Sequence, residues 1–148
     1  MCTGDVGAGI REATPAAKKF SEGAVVRYLI MIHSNPRFRA LWEEFSDEQK
    51  AEFGRSHLTL DRALEESGEL VLSDGLADPA EAKCVTVRHG RAVPSDGPFA
   101  EVKEHLVGFY LVECESMDRA LEHAARVPDA VYGKIEVRPL RTVKELDL

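Results

Sequence analysis

The chain has 148 residues, and 26 acidic against 19 basic side chains leave it a net charge of -7. That length suits one domain with its own core, and an acidic balance without a Lys/Arg block lacks the electrostatic footprint of a nucleic-acid binder. No apolar run approaches the roughly 20 residues of a membrane-crossing helix, so a soluble protein with no membrane partner is expected.

Residues 1–24 are rich in Gly, Ala and Lys without a sustained period, which predicts a flexible tail. They lack the basic start, continuous apolar segment and cleavage site of a secretory signal, so a cytoplasmic location is expected. Cys2, Cys84 and Cys114 are odd in number and widely spaced, as reduced thiols are. The domain is expected over residues 25–141, with 142–148 as a C-terminal tail.

"VVRYLIMIH", Val25 to His33, is β-branched and apolar on both alternations and predicts a central strand. Asn35 and Pro36 then suit a helix start, with Phe38, Leu41, Trp42 and Phe45 at helical spacing. "SDEQ", Ser46 to Gln49, is a capping box opening a long helix, whose apolar stripe Phe53, His57, Leu60 and Leu64 places one histidine in line with the core; Gly68 ends it.

Glu69–Ser73 and Lys83–Arg88 read as strands, and His89-Gly90 turns the chain into a short returning segment, Arg91–Pro94, as a hairpin appendage. Leu106–Cys114 is the next strand. Ser116 caps a helix whose expected face is Met117, Ala120, Leu121, Ala124 and Ala125, which puts His123 on the solvent side. "KIEVRPL", Lys134 to Leu140, alternates and ends at Pro139, as an edge strand does.

The order strand, helix, strand, strand, helix, strand is that of an α+β, ferredoxin-like split βαβ domain, with two helices on one face of an antiparallel sheet. Both alternations of the first and later long strands carry apolar residues, so the uncovered face predicts a homodimer joined sheet to sheet.

These pieces together resemble a YCII-related protein of the DGPF-domain subgroup. The matching stretches are "YLIMI", the histidine of "GRSHLTLDRALEESGELVLSDGL", "DGPF" followed by "EVKEHLVGFYLVE", and "GKIEVRPL". The resemblance implies a dimeric α+β barrel without an established reaction. The family's proposed chemistry rests on a histidine in the first long helix, matched by His57, and an aspartate near the end of the second. The family's Asp-Pro falls on Val127-Pro128 here and Asp129 is displaced by two residues, which leaves Asp74 and Asp96 as alternative carboxylates.

His57 is therefore the expected acid or base, since an imidazole both takes and gives a proton near neutrality; Asp61 follows one helical turn later. Asp96-Gly97-Pro98-Phe99 suits a turn that anchors Phe99 or lies at the rim of a cavity between the sheet and its dimer mate. Tyr28, Phe99, Lys103 and Tyr110 are the expected lining of that cavity. His33, His89, His105 and His123 lack metal-ligand spacing, and no phosphate loop or Gly-x-Ser-x-Gly elbow is present, so no metal or cofactor is expected. The expected function is cofactor-independent proton transfer on a small organic molecule, of isomerase or lyase type, against the alternative of a non-catalytic metabolite-binding or regulatory accessory protein.

Overall fold

The computed structural model describes residues 26–98 and 103–141. Strand β1 (Val26–Ser34) leads through helix α1 (Pro36–Glu44) into the long helix α2 (Asp47–Glu66) and then β2 (Leu70–Gly75). Strands β3 (Lys83–Arg88) and β4 (Arg91–Asp96) precede β5 (His105–Cys114), helix α3 (Met117–Ala125), a 3₁₀ turn (Pro128–Val131) and β6 (Lys134–Pro139). The four-stranded sheet runs β2-β5-β1-β6 with every neighbour antiparallel. This is the ferredoxin-like α+β arrangement expected from the element order, with α1 as a full helix at the β1–α2 corner.

Alternation along β1 and β5 divides the sheet into two faces. Tyr28, Ile30 and Ile32 of β1 and Tyr110, Val112 and Cys114 of β5 are buried, and with Leu60 and Leu64 of α2 and Ala120 and Ala124 of α3 they form the main core. The other alternation carries Leu29 and Met31 of β1, in register with Leu111 and Phe109 of β5, all half-buried. A second cluster of Phe38, Trp42 and Phe53 joins α1 to α2.

The hairpin is a separate two-stranded ribbon, β3 against β4, and β4 runs two residues further than expected, to Asp96. Its base is closed by the Asp-Gly-Pro segment. Gly97 N donates to the Ala82 carbonyl at 2.8 Å, and a Cβ at position 97 would stand 3.0 Å from Cys84 Sγ and 3.2 Å from the Ala82 carbonyl oxygen. Glycine is demanded there by close approach. Asp96 pairs with Lys83 across the base of the ribbon. The tail readings for 1–24 and 142–148, and the placement of Phe99, lie outside the described residues.

One sequence expectation is corrected. Helix α3 buries Ala120, His123 and Ala124, whereas Leu121 is 49% exposed and Ala125 faces solvent, so His123 points into the protein. The cause is Glu69, 1% exposed just before β2. A buried carboxylate requires partners. His123 Nε2 lies 2.8 Å from Glu69 Oε2, and Arg119 donates to both Glu69 oxygens, at 2.9 and 3.1 Å. Counting only apolar residues on α3 misplaces its inner face by one position in each turn.

Burial alone would push the Glu69 carboxyl up, but the bonds from Arg119 and His123 outweigh it and hold the pKa at about 2. A depressed carboxylate contributes stability above its unfolded pKa that is lost as pH falls through the folded one. From an ordinary value of 4.5 to about 2, the contribution is on the order of 3 kcal/mol. Unfolding free energy measured by urea titration should therefore fall as pH drops from about 5 to 2, and Glu69→Gln should lose stability at pH 7 and flatten that acid limb.

Candidate functional site

Helix α2 carries the central residue of the site and is fixed in phase at its start. Ser46 Oγ accepts from Gln49 N at 3.1 Å while Gln49 Oε1 accepts from Ser46 N at 2.8 Å, the reciprocal capping box expected from the sequence. Phe53, His57, Leu60 and Leu64 then form the buried stripe. His57 is 8% exposed, and the Phe53 ring meets its imidazole edge to face at a centroid distance of 5.1 Å.

Two other elements supply its polar partners. Tyr110 of β5 projects from the helix-covered face, and its hydroxyl lies 2.7 Å from His57 Nδ1. Asp129 lies in the 3₁₀ turn after α3, and its Oδ1 lies 2.7 Å from His57 Nε2. Both partners are 3% exposed. The turn is pinned to the β1–α1 corner. Asn35 caps α1 through Oδ1, accepting from Phe38 N at 2.8 Å, and donates through Nδ2 to the Tyr132 carbonyl at 3.1 Å. Tyr132 stacks on Phe38 at 4.9 Å, and Gly133 passes so near β1 that a Cβ would stand 2.9 Å from the His33 carbonyl oxygen.

The proton arrangement follows from donor and acceptor chemistry. An ionised Asp129 only accepts, so Nε2 carries the proton and donates to it. Nδ1 is then the lone-pair nitrogen, and it accepts from the Tyr110 hydroxyl. Burial, followed by the nearby charges of Asp61 and Asp129, pushes the Tyr110 pKa well above the ordinary phenol value, so Tyr110 stays a neutral donor. The result is a buried chain from phenol to imidazole to carboxylate.

The structure brings together His57 and Tyr110 from the sequence expectations and adds Asp129, whose displaced position had pointed to other carboxylates. Asp74 lies on the opposite face of the sheet, beside Phe109, with its Oδ1 accepting from Gly75 N at 2.9 Å; Asp96 is committed to Lys83 on the exposed ribbon. Neither is the carboxylate that meets His57. Tyr28 is buried in the main core, and Lys103 is exposed, its carbonyl accepting from Arg39 Nη2 at 3.3 Å. Tyr110 and His57 sit under the helices, so the cavity expected between two sheets is not where the imidazole points.

The signal for Asp129 was present as composition but not as register: a proline at position 128 starts a 3₁₀ turn, and such a turn moves an inward position by one or two residues relative to an extended link. Glu69 left no signal of its own beyond opening a strand-like run.

The sequence profile of the YCII-related domain matches residues 26–144. The chain belongs to the YCII-related family. A protein of Rhizobium meliloti (strain 1021), itself uncharacterised, is 34% identical over 125 residues, covering 82% of this chain and 97% of that protein. The matched span takes in every element of the fold and the residues His57, Tyr110 and Asp129.

Removing the phenol oxygen isolates the value of the first link. Tyr110→Phe keeps the ring packing but leaves the buried Nδ1 without a donor, so urea denaturation should show a loss of about 1–3 kcal/mol. A loss below a few tenths would show that Nδ1 finds another partner.

Proposed function

We propose that this YCII-related protein is a cofactor-independent proton-transfer enzyme of isomerase or lyase type, acting on a small activated carbon acid with His57 as acid and base. One observation carries the reading: a buried imidazole held at 2.7 Å on both nitrogens, by a carboxylate on one side and a neutral phenol on the other. Asp129 fixes the tautomer and stabilises the imidazolium that forms. In this reading the substrate carbon loses its proton to Tyr110 Oη as the phenol's own proton passes to Nδ1, leaving a carbanion and a His57 cation beside Asp129. Return of the proton to a different carbon completes an isomerisation, and departure of a leaving group completes an elimination.

The reading extends to the cytoplasmic homodimer of the α+β barrel type and to the DGPF subgroup suggested by Asp96-Gly97-Pro98-Phe99. A second copy would cover the half-buried Leu29, Met31, Phe109 and Leu111. Sedimentation should find a dimer that Leu111→Glu converts to a monomer with unchanged far-UV circular dichroism; a monomeric wild type removes this part of the proposal.

The same observation also favours the second reading, a metabolite-binding or accessory protein, because a satisfied core histidine likewise has both nitrogens engaged. Hydrogen–deuterium exchange at carbon separates the two. Enolisable and lactone-like metabolites incubated with the protein in D₂O should show one compound whose C–H exchanges, and His57→Gln should slow that exchange by about 10²-fold or more with the compound still bound. A compound that binds without exchanging in the wild type establishes the second reading.

A further inference from the structure

The buried chain has a neighbour that the proposed chemistry has not used. One helical turn beyond His57 on α2 stands Asp61, and directly across from Tyr110 on the adjacent strand β2 stands Ser73. Ser73 Oγ donates to Asp61 Oδ1 at 2.9 Å. Helix α2 is thus tied to the sheet by two rungs, His57–Tyr110 and Asp61–Ser73. Their helical ends are four residues apart and their strand ends are cross-strand partners, so the rungs lie side by side. The Asp61 carboxylate therefore stands on the same face of the sheet as the Tyr110 side chain, one rung along. Consistent with that placement, Asp61 ranks ahead of Asp129 among the charges that act on the phenol.

We propose that Asp61, oriented by Ser73, is a positioning residue of the His57 site, whose carboxylate accepts the Tyr110 hydroxyl when His57 is protonated at Nδ1. The need for it follows from proton bookkeeping. In the neutral chain the Tyr110 O–H points at Nδ1. A proton added at Nδ1 makes that nitrogen a donor, Oη becomes its acceptor, and the phenol's own hydrogen must turn to another oxygen. Asp61 supplies that oxygen. When the proton comes from solvent the phenol keeps its own O–H bond, and in the proposed relay the proton taken from carbon replaces the one passed to Nδ1; in both cases the imidazolium rests between Asp129, directly, and Asp61, through Tyr110.

The groups facing His57 are Asp129 from the turn after α3, Tyr110 from β5, Asp61 from the next turn of α2 and the Phe53 ring from the preceding one. Among the described residues Asp61 accepts from Ser73 and its charge acts on Tyr110. The inference deepens the proposed function and rests on it for its catalytic use, whereas the coupling between Asp61 and His57 is measurable without any substrate.

The test is an NMR titration of the His57 ring in the full chain, labelled at histidine, in the wild type and in Asp61→Asn, Ser73→Ala and Glu66→Gln. Glu66 is an exposed acid at the far end of α2 and serves as the control. Asp61→Asn should move the His57 titration to lower pH by about one unit, because the cation loses a nearby negative charge. Ser73→Ala should move it in the same direction by less, and Glu66→Gln should leave it in place. A lowered urea midpoint with an unmoved titration in Asp61→Asn would reduce Asp61 to a tie between helix and sheet and overturn the proposal. Should Asp61→Asn not fold, Ser73→Ala decides alone, and an unmoved titration there overturns it equally. Failure of the wild type to exchange any C–H leaves this readout intact and bears only on the proposed reaction.

Discussion

An imidazole packed beneath a helix has two nitrogens that water no longer reaches, and leaving either unpaired costs about 1–3 kcal/mol. In this YCII-related chain that requirement ties three elements together. His57 sits on α2, its phenol partner on β5 and its carboxylate partner in the turn leading to β6. The long helix, the central pair of the sheet and the crossing from α3 back to the edge strand therefore share one polar junction. The site is assembled by contacts that also fix how the helix layer lies on the sheet, so its geometry is as rigid as the fold.

The protein holds a second buried histidine–carboxylate pair, and the contrast shows what the first is suited to do. His123 and Glu69 are both about 1% exposed and 2.8 Å apart, but Glu69 also takes two bonds from Arg119, and His123 Nδ1 is buried without a partner among the described residues. An N–H at that nitrogen would have nowhere to donate, so the ring meets Glu69 through Nε2. The pair works as a clamp between α3 and the start of β2. At His57 the corresponding nitrogen meets a phenol that both donates and accepts, so that ring can gain a proton without orphaning a donor. Chemistry and clamp differ by what stands at Nδ1.

Much of this was legible in the residues. The capping box at Ser46–Gln49 set the phase of α2, and the 3.6-residue period then placed His57 on its inner stripe; alternation on β5 put Tyr110 on the same face as Val112. Asp129 was harder because it follows a proline that opens a 3₁₀ turn, where neither the helical nor the strand period applies. Glu69 and His123 were illegible for a different reason. Patterning by hydropathy assigns charged residues to solvent, and only the mutual satisfaction of the two, with Arg119, reverses that assignment. The exposed ribbon β3–β4 followed from its turn at His89-Gly90, where His89 takes φ 52° and Gly90 φ 74°, but the close fit of Gly97 against Cys84 and Ala82 at its base is encoded by no local pattern.

The sheet is one backbone layer thick, and strand β5 uses its two sides for different tasks. Tyr110 points inward to His57, while Phe109 and Leu111 on either side of it point outward among Met31 and Leu29. A substitution on the outward set leaves the hydrogen-bonded chain chemically whole, yet it acts on the same few peptide units that aim the phenol. Backbone movement that repositions Tyr110 Oη by about half an ångström would take a 2.7 Å bond to the long end of the ordinary hydrogen-bond range. Any partner seated on the open face thus meets a strand whose tolerance is set from the other side. The proposed association through that face and the proposed proton chemistry beneath the helices would be chemically independent but mechanically joined at residues 109 to 111, through the central β1–β5 pairing.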